Sequence, residues 1–323
     1  MTRPENSVLQ GVVPIIPTPF RADESIDFDA LARCVRFAAA CGFNAACLPA
    51  YASEFYKLSE NERQQVVETA VRAADGSVGV IAQSNHPSAQ HAASLAKRHE
   101  QMGASVISFA LPRQFALGEQ DLLDYSRAIC DATGLPVLIQ DFNPGGPTVG
   151  ANFAACLVEA CPNFRYLKLE EPLMGSKVRA IVRATGGEIG VLEGWGGMYT
   201  VELISDGICG LMPGLGPADL LQRVWNLVYH GEREAAMEIF QSVLPQLVFS
   251  LQNLEFWLFV EKKLLAARGI IPESSSHVRQ ATRSPDPSAI RHALWLNDRL
   301  LKQLDRIGLA RNPESSSVER GDV

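Results

Sequence analysis

The chain has 323 residues, 47% of them hydrophobic and 20% charged, with a formal net charge of −7. A chain of this length and balance buries a large core, which excludes disordered and collagen-like classes. Its basic residues are scattered over an acidic whole, which argues against nucleic acid or an anionic membrane surface as partner and points to a small metabolite.

From residue 11 onward, short apolar or β-branched runs alternate with longer segments of helical period. GVVPII from Gly11 is followed by the helical stretch DFDALARCVRFAAACG, then by AACLPA from Ala45. In the next helical stretch, SENE at Ser59 to Glu62 reads as a capping box, with Ser59 at the cap and Glu62 in the third helical position. VGVIAQ from Val78, SVISFA from Ser105, PVLIQD from Pro136, FRYLKL from Phe164, EIGVLEG from Glu188 and GICGLMP from Gly207 continue the series. Helical segments such as SAQHAASLAKRHEQMG and EQDLLDYSRAICDATG end at a glycine, as expected just beyond a helix. About eight such strand and helix units predict an α/β fold, a (β/α)8 TIM barrel, in preference to an open doubly wound sheet. A dinucleotide-binding sheet would place a glycine fingerprint after the first strand, where PIIPTPF offers prolines.

Beyond Pro217 the strand signals stop and successive helices follow, broken near Gly231 and around Gln252. The expected organisation is an extension at 1–10, a barrel at 11–230, a C-terminal helical region at 231–310 and a tail at 311–323. Within the helical region, PESSSHVRQATRSPDP reads as a polar linker. The seven cysteines form no C-x-x-C pair and fall mostly in apolar patterns, as in a reduced, cytoplasmic protein. No apolar run approaches the roughly 20 residues of a membrane span, and MTRPENSVLQ lacks the apolar core of a signal peptide.

In such a barrel the chemistry gathers at the carboxyl ends of the strands. The residues there are Glu54, Gln83, Ser84, Gln140, Asp141, Lys168, Glu193, Trp195 and Met212. Lys168 stands inside an otherwise apolar strand. Pointing into the barrel mouth, it would supply the amine that attacks a ketone to form a Schiff base. Pointing outward, or pinned by Glu170 or Glu171, it would be an ordinary ion-pair lysine.

The opening GVVPIIPTPFRADESIDFDALARCVRFAAACGFNAACL, the run SEFYKLSENER and the strand YLKLEE together resemble the dihydrodipicolinate synthase and N-acetylneuraminate lyase family of Schiff-base aldolases. The similarity runs from about Gly11 to about Ile271. The resemblance implies a TIM barrel, Lys168 as the Schiff-base lysine, a 2-oxo acid such as pyruvate as substrate, no cofactor, and a homo-oligomer, dimer or tetramer.

Several positions leave the family pattern. Where the family carries hydroxyl residues that hold the substrate carboxylate, this chain reads AYASE, so Tyr51, Ala52, Ser53 and Glu54 are the expected binding positions. Backbone amides could serve there in place of the lost hydroxyls. The tyrosine expected after strand five is missing from LIQDFNPGGP. Anchoring on Pro144 puts Asp141 in its place as proton relay, whereas counting back from Lys168 gives Gln140. Arg113 and Gln114 occupy the synthase branch's tyrosine pair, and PGGPT lacks its arginine, which disfavours lysine biosynthesis; Arg113 is then a candidate anion contact. In LEGWGGMY, Gly194 lets the backbone approach a ligand and Trp195 offers a flat wall, suggesting a substrate more hydrophobic than a sugar acid. His86 and His91 lack a third ligand, so no metal site is expected. The expected function is a lyase, aldolase or dehydratase working through Lys168. The alternative is a diverged, weakly catalytic protein that binds a small acidic or aromatic ligand.

Overall fold

The computed structural model describes residues 9–279 and 285–314. Most of the expected N-terminal extension and tail, and part of the linker, therefore lie outside the described residues.

Eight parallel strands alternate with helices: β1 (Gly11–Val12), α1 (Phe28–Ala40), β2 (Ala45–Leu48), α2 (Glu60–Ala74), β3 (Gly79–Gln83), α3 (Ala89–Gln101), β4 (Val106–Ala110), α4 (Glu119–Cys130), β5 (Val137–Asp141), α5 (Ala151–Ala160), β6 (Phe164–Leu169), α6 (Gly175–Ala184), β7 (Gly190–Glu193), α7 (Thr200–Leu203), β8 (Gly210–Leu211) and α8 (Ala218–Tyr229). This is the expected (β/α)8 barrel. Strands β2 to β8 pair in chain order and β8 pairs with β1. Prolines cut β1 short, because they donate no ladder hydrogen bond. The ring closes just past it, where Ile15 bridges both Cys47 and Gly214. Cys47 N donates to Pro14 O at 2.9 Å and Ile16 N to Cys47 O at 3.0 Å. Gly210 is required at this seam, since a Cβ there would lie 2.3 Å from Gly11 O.

Side-chain alternation sorts the apolar residues into two layers. Ala45, Cys47, Ile81, Val106, Leu138, Tyr166 and Leu192 fill the barrel interior. Val80, Ile107, Ile139, Leu167 and Val191 face the helices. Helix starts follow local chemistry. Asp27 accepts from Ala30 N at 3.0 Å, and at Ser59 the capping box forms, with Ser59 N donating to Glu62 Oε2 at 2.8 Å.

Three further helices follow, α9 (Arg233–Ser250), α10 (Leu254–Ala267) and α11 (Pro287–Arg306), with α9 packed on α8 and α11. Helix α10 is tied to the barrel at several points. Arg268 pairs with Asp219 at 2.6 Å, Glu261 Oε1 accepts from Gly216 N at 2.6 Å, and Lys262 pairs with Glu54. These ties hold the α9–α10 turn over the strand ends. All seven cysteines carry free thiols. Among the described residues, no helix is long and apolar enough to cross a membrane.

Candidate active site

A cavity of about 360 Å³ opens at the carboxyl ends of the strands. Its walls come from the Tyr51–Ala52 turn after β2, Gln140 and Phe142 of β5 and its loop, Lys168 and Glu170 of β6 and its loop, Gly194–Gly196 after β7, and Met212–Gly214 after β8. Leu251 to Leu254 and Trp257, from the α9–α10 turn and α10, roof it.

Strand alternation decides what enters this space. Lys168 shares the inward parity of Tyr166, and its Cα registers with Gln140 on one side and Leu192 on the other. Its side chain is 3% exposed, and its Nζ lies 3.0 Å from Glu170 Oε1. The amine thus faces the cavity and is ion-paired at the same time. The same Glu170 Oε1 also accepts from Gln140 Nε2, and Gln140 Oε1 accepts from Gln83 Nε2 at 2.6 Å. A chain of buried amides therefore fixes one carboxylate oxygen beside the amine. Glu171, one residue on, turns outward to Thr148 Oγ1 at 2.7 Å and Lys177 at 2.6 Å.

Gly194 makes room for the pair. A Cβ there would stand 2.8 Å from Lys168 Cε and 2.4 Å from Glu170 Cγ. Beneath the same turn, Glu193 accepts from Trp195 N at 2.9 Å and Gly197 N at 2.8 Å. Burial pushes its carboxyl up to about 7, against the opposing pull of those amides and of Lys168. On the far wall, burial and then the charge of Glu170 raise the Tyr51 phenol, which keeps it a neutral donor. Tyr51, Phe142 and Trp195 run together as an aromatic wall, with centroid separations of 5.4 Å and 6.0 Å.

Of the expected site residues, Lys168, Gln140, Tyr51, Ala52, Gly194, Trp195 and Met212 line the cavity. Asp141 does not, and its expected role as relay is corrected. One residue beyond Gln140, it has the opposite parity and faces the helices. Its carboxylate accepts from Arg113 Nε at 2.8 Å, Arg113 Nη2 at 2.6 Å and Val149 N at 2.6 Å. The same bidentate pair accounts for Arg113, which is taken up by Asp141 instead of a substrate anion. Ser53 and Glu54 are also absent from the walls. Ser53 Oγ donates to Ile16 O at 2.5 Å, joining the β2 loop to the first strand. Glu54, in left-handed backbone at φ 61, is buried between Lys57 at 3.0 Å and Lys262.

The sequence presents Glu170 only as a possible tether for Lys168, and it assigns no site role to Phe142 or to the helix break around Gln252 that forms the α9–α10 turn. Glu170 is recoverable from spacing, because two residues past an inward lysine lies another inward position. The α9–α10 turn leaves no such signal, since its place over the barrel is set by tertiary ties.

A closed parallel barrel with a lysine–carboxylate pair beside a cavity at its mouth defines a TIM-barrel protein. A sequence profile of the Dihydrodipicolinate synthetase family matches residues 8–271, and the chain belongs to that family. It is 26% identical to L-2-keto-3-deoxyarabonate dehydratase of Azospirillum brasilense over 304 residues, 88% of this chain and 97% of that one. It is 32% identical to N-acetylneuraminate lyase of Citrobacter koseri over 132 residues, 41% of this chain and 44% of that one. The fold matches the crystal structure of dihydrodipicolinate synthase from Rhodopseudomonas palustris with a TM-score of 0.83 at 24% identity, covering 92% of this chain and all of that one. Family members are lyases or dehydratases, which makes an enzyme the reading the family supports.

Proposed function

We propose that the protein is a lyase or dehydratase that acts on a 2-oxo acid such as pyruvate through a Schiff base on Lys168. The observation that carries this reading is the buried Lys168 amine, open to the cavity and 3.0 Å from Glu170 Oε1. Glu170 takes a proton from the ammonium, and the neutral amine attacks the ketone carbon. The carbinolamine then loses its oxygen as water, with Glu170 returning the proton. The resulting iminium draws electrons from the neighbouring carbon, whose proton passes to Glu170 to leave an enamine.

From the enamine, the carbon can add to an aldehyde, forming a carbon–carbon bond while the aldehyde oxygen gains a proton. A substrate with a hydroxyl one carbon further on can instead expel it as water. Both outcomes use the same lysine and the same carboxylate. Gln140 orients Glu170, and the Tyr51–Ala52 turn faces the substrate carboxylate: the turn's own hydrogen bonds start at Ser53 N and Glu54 N, leaving the two preceding amides for an anion. Assembly into a dimer or tetramer belongs to the same reading, and light scattering at the mass of one chain would remove it.

Incubation with pyruvate in deuterium oxide tests the mechanism without knowledge of the second reactant. Imine and enamine formation exchange the methyl protons of pyruvate for deuterium. Exchange above the buffer rate is expected for the native protein, and exchange at the buffer rate for Lys168→Ala. A folded native protein that exchanges nothing would favour the ligand-binding alternative.

A further inference from the structure

The walls of the cavity discriminate beyond the reacting carbons. Among the described residues that line it, only Lys168 and Glu170 carry charge, and they neutralise each other. A monocarboxylate 2-oxo acid adds one negative charge at the Tyr51–Ala52 end. A second carboxylate at the opposite end would meet no cation, because Arg113 is turned away onto Asp141. Burying an unpaired carboxylate is strongly unfavourable.

Away from Tyr51–Ala52 the uncharged polar side chains of the lining are Gln140, Gln252 and Asn253, the last two exposed to solvent. Asn253 Oδ1 is spent capping α10, accepting from Phe256 N at 3.0 Å, and Gln140 is held between Gln83 and Glu170. Beyond Phe142, which touches Tyr51, the lining offers apolar surface from Trp195, Leu251, Leu254 and Trp257. Leu251 closes tightly on the Trp195 loop, where a Cβ at Gly196 would lie 2.9 Å from Leu251 Cδ1. The rings of Phe142, Trp195 and Trp257 give the lining flat apolar faces suited to a planar group, and about 360 Å³ is ample for a 2-oxo acid bearing one ring.

We infer that the group carried beyond C3 of the 2-oxo acid is uncharged, planar and apolar, an aryl or alkenyl group, in preference to a second acid or a polyhydroxylated chain. This rests on the Schiff-base reading of Lys168. In the synthetic direction the partner is then an aryl or alkenyl aldehyde. Its carbonyl carbon joins C3 of the enamine, its oxygen takes a proton, and water releases the 4-hydroxy-2-oxo acid from the lysine without loss of other atoms.

Borohydride trapping on the full-length protein tests this, because an imine forms without turnover. The keto oxygen leaves as water, and borohydride delivers hydride to C2, fixing the ligand on Lys168 for mass measurement. Four acids are compared: pyruvate, 4-phenyl-2-oxobutanoate, 2-oxoglutarate and 2-oxo-3-deoxygluconate. The phenyl compound is expected to half-saturate trapping at a concentration at least about tenfold below those of 2-oxoglutarate and 2-oxo-3-deoxygluconate, as burial of one ring provides. Trp195→Ala should reduce that advantage several-fold. Equal or better trapping of 2-oxoglutarate or 2-oxo-3-deoxygluconate would overturn the inference while leaving the Schiff base intact, and so would an advantage untouched by Trp195→Ala. Failure to trap any of the four, pyruvate included, would instead remove the reading beneath it.

Discussion

Among the described residues, two lysines are buried against glutamates, and only one of them opens on a cavity. Lys262 of α10 is fully buried, ion-paired with Glu54, donating to His277 O at 2.9 Å and lying 4.4 Å from the centre of the Phe20 ring. Burial lowers its pKa to about 8, with Glu54 resisting. By pKa alone, Lys262 would be an excellent candidate nucleophile. Nothing can reach it, however, and its bonds fasten α10 to the loop after β2. Lys168 has the same kind of partner, but its amine faces about 360 Å³ of open space at the strand ends. A depressed pKa marks a buried amine, whereas access marks a reactive one. Strand parity and cavity geometry therefore distinguish the reactive lysine more than its charge environment does.

Glu170→Gln separates chemistry from architecture most strongly. It keeps the shape and the Gln140 contact but removes the proton carrier, so turnover should fall about 10²- to 10⁴-fold. Steady-state kinetics with an active 2-oxo acid measures this, and Asp141→Asn serves as the control, expected to stay within about tenfold of native by the same principle. A larger loss in the Asp141 variant would return the relay to that residue. Lys262→Met tests the other lysine. It leaves Glu54 buried with only Lys57 as partner, so stability should fall by about 3 kcal/mol or more, read by urea unfolding. Deuterium exchange into pyruvate should persist in that variant under native conditions, and its loss in a folded sample would break the distinction.

Glu193 sharpens the comparison through pH. Its carboxyl is at about 7 in the folded protein against an ordinary 4.5, so the folded state retains a proton that the unfolded chain has released. Its contribution to stability is full below pH 4.5 and is lost as pH rises towards about 7. Glu193→Gln removes this titration, so the difference in unfolding free energy between pH 5 and pH 7.5 should change relative to native by up to about 3 kcal/mol. An unchanged difference would mean that Glu193 is ionised throughout.

Much of this was legible in the sequence. Apolar runs at regular intervals gave away the eight strands, because each is buried on both faces, and SENE marked the start of α2 through a purely local exchange of hydrogen bonds. Lys168 could be placed because it interrupts one of those runs. The choice between Gln140 and Asp141 turned on a single residue of register, and an alignment anchored on Pro144 was enough to exchange inward for outward. Glu54 misled for a different reason. It follows a strand end as a site residue would, but its partner Lys262 lies 208 positions away in sequence, beyond any local pattern. The roof from α9 and α10 escaped for the same reason, since ion pairs distant in sequence hold it in place.

The central claim is that Lys168, and not the equally buried Lys262, forms the covalent intermediate. The most direct measurement is borohydride reduction of the native protein with isotopically labelled pyruvate, followed by peptide mapping. A single carboxyethyl group on Lys168, with the Lys262 peptide unlabelled, is the predicted result. Label on Lys262, or a folded protein carrying no label at Lys168, would contradict the account.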